Sequence, residues 1–226
     1  MQDLLISFFP SFDKLWNEFV KSILDTLVMV GFSGLIAFFF GVFFGVILIV
    51  TRRGGIMENR IIYNIIDKAI NLIRSIPFLI LMMMLMGISR MLAGTGIGVR
   101  GAIFPLVCGT VPFFARQIET AIAEVDHGLV EAAQAMGSSP WQIIFRVYLK
   151  ESVPNIARVT MVTAINLIGL TAMAGALGSG GLGDFAIRYG YQRHLTDMIY
   201  ASVIVILILV QLIQLIGNQI IQRTKH

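Results

Sequence analysis

Five stretches of this chain carry no Asp, Glu, Lys or Arg: residues 26–51, 75–89, 101–115, 159–183 and 198–222. Together they make up nearly half of it, and they match about five helices of the roughly 20 residues needed to cross a bilayer. The pattern predicts an all-α, polytopic membrane protein with about five transmembrane helices and a single transmembrane domain over 1–226. Composition agrees: 57% of the 226 residues are hydrophobic and 13% charged, against about 45–50% and about 25% in globular domains. A secreted enzyme and a nucleic-acid binder are excluded. The formal charge of +4 reports orientation rather than an anionic partner. Cys108 is the single cysteine, so no intrachain disulfide and no zinc cluster is expected. Leu4–Phe9 is too short for a signal sequence and no basic segment precedes it, so the first span is expected to stay in the chain.

Pro10 and Ser11 introduce Phe12, Leu15, Trp16, Phe19, Val20 and Ile23, a helical stripe with Asp13, Lys14, Asn17, Glu18 and Lys21 opposite, which predicts an interfacial helix ahead of the first span. Within that span Gly41 and Gly45 have the spacing that lets two helix backbones approach closely, though such pairs also arise by chance. Residues 52–74 place Asn64, Asp67, Lys68, Asn71 and Arg74 opposite Ile61, Ile62, Ile65, Ile66, Ala69, Ile70 and Ile73, an amphipathic helix. Pro77 is expected to kink the entry to the second span, which ends near Ser89. The third run, Gly101–Ala115, rises only about 22 Å, so it reaches across the core only if Arg100 and Arg116 snorkel from its ends, with Pro105 and Pro112 bending it. Residues 116–158 hold nine charges and form the main polar loop; the last two spans are joined by 184–197.

Lys and Arg number eleven in 52–74, 116–158 and 223–226 together, and six in 1–25, 90–100 and 184–197. The first set therefore faces the cytoplasm, with the N-terminus outside and the C-terminus inside. The spans hold no ionisable side chain other than Cys108 and Tyr200. An ion-coupled carrier usually keeps a charged group at mid-membrane, so energy for transport is expected from another protein. Three readings stand at this point: an externally powered permease, an ion-coupled secondary amino-acid transporter, and a non-transporting membrane scaffold.

The polar loop carries the most specific signal. Gly128-Leu-Val-Glu131-Ala132-Ala133-Gln-Ala135-Met-Gly137 predicts a helix of about two turns stopped by Gly137, and Ser139-Pro140 then caps a second helix bearing Trp141, Ile144, Phe145, Tyr148 and Leu149. A short helix with a smooth alanine face fits a groove of another protein. At these residues the chain resembles the membrane permease of ATP-binding-cassette importers, whose loop carries Glu-Ala-Ala, three residues, then Gly. Val147 and Leu149 match the family's following Ile-x-Leu-Pro in type, but Lys150 stands where the family has Pro, and Pro154 comes four residues later. Over about 20–222, Arg74-Ser-Ile-Pro77-Phe78, Val111-Pro-Phe-Phe-Ala-Arg116 and Gly175-Ala-Leu-Gly178-Ser-Gly180-Gly-Leu-Gly183 resemble the methionine-uptake permeases of the type I importer group.

That resemblance implies the type I ABC importer permease fold and a bacterial plasma-membrane location. It also implies a second copy of the chain forming a homodimer, two cytoplasmic ABC ATPase subunits, and an external substrate-binding lipoprotein that delivers methionine. It places ATP and Mg on the ATPase and no cofactor or catalytic residue on this chain, which touches membrane lipid and no nucleic acid. Its coupling helix corresponds to Glu131, Ala132, Ala133, Ala135 and Gly137, within a coupling loop at about 116–158. Glu131, expected in the first helical turn, reads either as a partner contact or as an intrachain cap. Asn166, Thr171 and Met173 are candidates to line or gate the path in the fourth span, with ordinary packing the alternative for Met173. Gly178-Ser-Gly180-Gly-Leu-Gly183 has the spacing of a dinucleotide loop but no preceding strand, and is expected to be a packed turn. His127, His194 and His226 are scattered, so no metal site is expected. The methionines at 82–84 serve packing and do not indicate the cargo.

Overall fold

The structure is a computed structural model describing residues 12–224, with the side chains of 12–14 left aside. Pro10 and Ser11 lie outside the described residues. Among those described, the chain is helical and contains no strand. Helix α1 (Phe12–Thr51) runs for 40 residues without interruption, which corrects the expected interfacial helix followed by a separate span. No Gly or Pro occurs from 12 to 30, and the polar residues at the expected junction are absorbed into the helix. Ser22 Oγ donates to the Glu18 carbonyl at 2.8 Å and Thr26 Oγ1 to that of Ser22 at 3.0 Å. Phe19 of the stripe packs with Leu182, Phe185, Met198 and Ala201, with Leu15 and Ile23 beside it, so this part of the stripe faces protein, while Trp16 is exposed.

Helix α2 (Arg60–Arg74) is capped by Asn59, whose Oδ1 accepts from the amides of Ile61 and Ile62 at 3.1 Å. At Pro77 the chain turns through 106° into α3 (Phe78–Ala93), the expected kink. Helix α3 continues past Ser89 to Gly94, whose φ of 74° stops it. Helix α4 (Gly98–Ala123) contains the third uncharged run and extends it to 26 residues, about 39 Å. Span length therefore does not depend on snorkelling, and Arg116 is engaged in ion pairs instead.

The polar loop folds as α5 (His127–Ala135), α6 (Pro140–Ile143), a π turn over Ile144–Tyr148 and α7 (Leu149–Glu151). Helix α8 (Val153–Gly175) starts six residues before the fourth uncharged run and ends eight residues short of its end. The run is thus not one span. Gly178, Gly180 and Gly181 adopt φ between 78° and 80°, a conformation that side chains with a Cβ rarely take. The connection that follows is itself folded, into α9 (Gly181–Phe185) and a second π turn over Ala186–Tyr191. Helix α10 (Thr196–Thr224) closes the described chain. Helices α1, α4, α8 and α10 are long and apolar enough to cross a membrane, and the bent pair α2–α3 makes up to five spans.

The chain gathers into two compact units. One comprises α1 as far as Leu35, Pro77–Cys108 and Ala164–Ile213; the other comprises Ile36–Ile76, Gly109–Thr163 and the end of α10 from Gln214. The first is built on Met29, Met82, Leu106, Leu167 and Ala174, and on the Phe19 cluster. In the second, Ile49, Phe114, Ile118 and Ile122 pack with residues of the polar loop. Here the Gly41/Gly45 pair proves to be a helix contact: a Cβ on Gly41 would run into the Phe114 ring, and one on Gly45 would lie 2.6 Å from Ile118 Cβ and 2.8 Å from the Ala115 carbonyl.

Candidate coupling surface and path-lining face

The short helix α5 is fixed at both ends by its own sequence. Asp126, a cap that the sequence pattern does not single out, accepts from the Gly128 amide at 2.7 Å. At the other end Gly137 takes φ 78°, and the Gly137 and Ser138 amides donate to the Gln134 and Ala133 carbonyls. Ser139 and Gln142 then exchange hydrogen bonds in a capping box, with Pro140 at the first helical position. The stop at Gly137 and the restart at Ser139-Pro140 follow the sequence expectation.

Val130 and Ala133 are 3% and 5% exposed and pack with Ile49, Val50, Ile118 and Ile122. Helix α5 is thereby seated on the ends of α1 and α4. Ala133 turns inward, so the open face belongs to Glu131, Ala132 and Ala135, flanked by the exposed Leu129 and Met136. In the next segment Ile143, Ile144 and Tyr148 are buried while Trp141 and Phe145, stacked at 6.5 Å between ring centroids, stand open. Periodicity groups Trp141 and Phe145 with Ile144 and Tyr148 on one apolar face; the π turn separates them. Because α5 begins at His127, Glu131 falls in the second turn rather than the first, where the helix dipole supports it little. Its carboxylate lies 3.8 Å from His127 Nδ1 and both side chains are exposed. Burial pushes the Tyr148 phenol upward, partly offset by the Arg52 charge, so it stays protonated.

An ion cluster missed by sequence reasoning holds α2 against α4. Arg116 Nη1 donates to Glu119 Oε2 at 2.5 Å, and Nη2 donates to the Asp67 carboxylate and to Asn71 Oδ1 at 3.3 Å. The signal is present as Asp67 and Asn71 one turn apart, but nothing local names their partner 45–49 residues away.

On α8, Asn166, Gly169 and Met173 follow the helical spacing and all three are exposed, with Met173 at 40%. Thr171 is not with them: it is 2% exposed and donates to the Ile168 carbonyl at 2.7 Å. The face uncovered by its own chain is therefore a small, polar and flexible one. Just after α8 the glycine-rich segment is a packed turn, as expected. A Cβ on Gly175 would meet the backbone of Gly183 and Asp184, and one on Gly183 the backbone of Ala172. The Leu182 amide donates to Thr26 Oγ1 at 2.8 Å, and the Gly98 amide to the Gly178 carbonyl at 3.1 Å. Beside this turn lies a polar cavity of about 330 Å³ walled by Lys21, Asp25, Ser179, Asp184 and Arg188 among others. Among the described residues no group of three or more His, Cys, Asp or Glu is placed to hold a metal ion.

Residues 37–225 match the family described as the binding-protein-dependent transport system inner membrane component. The chain is 43% identical to the probable D-methionine transport system permease protein MetI of Vibrio cholerae, over 89% of this chain and 90% of that one. It is 44% identical to the methionine import system permease protein MetP of Bacillus subtilis, over 94% and 95%. It superposes with a TM-score of 0.92, at 38% identity and over 94% and 99% of the two chains, on a chain of the MetNI methionine ABC transporter in an inward-facing conformation. A chain of an amino acid ABC transporter, 18% identical, shares the fold with a TM-score of 0.78. Matched over most of its length in sequence and in helix arrangement, the chain belongs to the family of binding-protein-dependent transport system inner membrane components.

Proposed function

We propose that this chain is the translocation subunit of an ATP-driven importer for methionine, acting as one permease domain with its coupling loop at about 116–158. The observation that carries the reading is the seating of α5. Val130 and Ala133 anchor it to the ends of two long helices, while Ala132 and Ala135 present a face without bulk to a partner. A push on α5 moves α1 and α4 with it, because a close-packed contact transmits displacement. The names of the relatives at 43% and 44% identity support methionine as cargo.

On this reading the partner is one of two cytoplasmic ABC ATPase subunits, which bind ATP and Mg; this chain supplies neither catalysis nor a cofactor. A second copy completes the path, because five bent spans enclose a solute poorly and ten about a twofold axis enclose it well. An external substrate-binding lipoprotein delivers the amino acid. The N-terminus lies outside the bacterial plasma membrane and the C-terminus in the cytoplasm, as the Lys and Arg asymmetry supports. Glu131 offers its charge to a basic ATPase residue, and Gly137 fixes where the docking helix ends. Asn166 and Met173, with Gly169 between them, line the path, and Met173 gates it.

Proteoliposomes test the reading. Methionine uptake is expected only when the ATPase, ATP and the external binding protein accompany the chain. Uptake by the chain alone, driven by an ion gradient, would overturn it. Ala132→Cys in a Cys108→Ser background should cross-link to the ATPase, whereas a cysteine at the inward-facing Ala133 should not.

A further inference from the structure

Helix α2 is divided lengthwise into three arcs. Tyr63, Ile66 and Ile70 face Phe44 and Leu48 of α1 and Ala115 of α4. A second arc, Ile61, Ile65 and Leu72, is 73%, 64% and 66% exposed although wholly apolar. A third, Arg60, Asn64, Lys68, Asn71 and Arg74, is exposed and polar. At 100° per residue the apolar arc lies between the protein contact and Lys68, so hydrocarbon-seeking and cationic side chains stand side by side on the open half of the helix. Its orientation fits as well. The contact residues of α2 cover about 10 Å of its axis yet meet a single turn of α1 and one level of α4, so α2 crosses those spans rather than running along them.

We propose that α2 is an interfacial helix that binds anionic phospholipid. Ile61, Ile65 and Leu72 enter the acyl-chain boundary, and Lys68 takes a headgroup phosphate. The occupant follows from the charge: among the described residues Lys68 is not ion-paired, is exposed, and borders the apolar arc. A soluble protein groove would bury the isoleucines and leave the lysine without purpose, whereas a lipid surface satisfies both at once. Asp67 and Asn71 of the same helix hold Arg116 of α4, so bound lipid also steadies that ion cluster.

The test uses the full-length chain in nanodiscs, with an environment-sensitive fluorophore on Ile65→Cys in a Cys108→Ser background. Acyl-brominated phosphatidylglycerol is expected to quench the label more than brominated phosphatidylcholine at equal mole fraction. Lys68→Gln should lower that local preference about fivefold, the equivalent of ~1 kcal/mol per cation at an anionic surface, and Lys68→Arg should retain it. Quenching by neither lipid, as when a second copy or water covers the face, would overturn the proposal. So would equal quenching by both lipids, an undiminished preference in Lys68→Gln, or loss of the preference on adding free glycerophosphate.

Discussion

Gly45 occupies a point where α1 and α4 touch backbone to side chain, and its missing Cβ is what allows the approach. Gly45→Val should lower stability by about 1–3 kcal/mol, read as a fall in the thermal midpoint in detergent. Gly31, where an added Cβ would meet nothing within 4 Å, provides the contrast: Gly31→Ala should leave stability unchanged or raise it by up to about 1 kcal/mol of helix propensity. Equal effects at the two positions would refute the contact. Arg116→Ala removes the shared partner of Asp67 and Glu119, whose side chains are 26% and 12% exposed. The loss should be about 1–3 kcal/mol, short of a fully buried pair because water reaches the cluster. The same thermal measurement checks it, and Asp67→Asn should cost less, since Glu119 keeps its cation. The Gly41/Gly45 spacing could be read from the sequence but not its outcome, because only the opposing side chain decides between contact and coincidence. The Arg116 cluster could not be read at all, since an ion pair between residues 49 apart leaves no local pattern.

Among the elements, α5 separates docking from packing. Ala132 is exposed and Ala133 buried, so their substitutions should fail differently. Ala132→Arg is expected to hold stability within about 0.5 kcal/mol, as surface changes do, while reducing ATP-driven uptake about tenfold or more through a bulky charge at the partner groove. Ala133→Leu should instead overpack the cluster with Ile118 and Ile122 and lower stability by about 1–3 kcal/mol, read as a fall in the thermal midpoint. Uptake in proteoliposomes and melting in detergent together distinguish the two. The stop and restart of this loop were legible because Gly137, Ser139 and Pro140 each carry a local backbone preference. Which alanine faces inward was not, since Ala132 and Ala133 are chemically alike and only the long helices beneath them set the rotation. For the same reason the end of α8 escaped the hydropathy pattern. Apolar content continues to residue 183, but the positive φ values at 178–181 end the helix, and hydropathy does not register backbone conformation.

For the molecule as a whole, the uncharged runs were enough to give the helical class and a span count of four to five, because the bilayer imposes one length scale on all of them. Helix ends within polar stretches obey no such scale, and α4 accordingly runs eight residues past its uncharged run. The function proposed above predicts coupling across the assembly. Met173→Ala should raise basal solute leak or let the ATPase turn over without uptake, and unchanged rates of both would remove Met173 as the gate. One hydrogen bond bears on how such a chain is made. Thr26 Oγ1 accepts from the amide of Leu182, which lies 156 residues further along. On the ribosome, the first helix enters the translocon long before that amide has been synthesised. Throughout the interval the hydroxyl can rest on the Ser22 carbonyl, so Thr26 does not enter lipid with its hydroxyl unpaired, and nascent chains halted before Leu182 should insert yet remain unlocked.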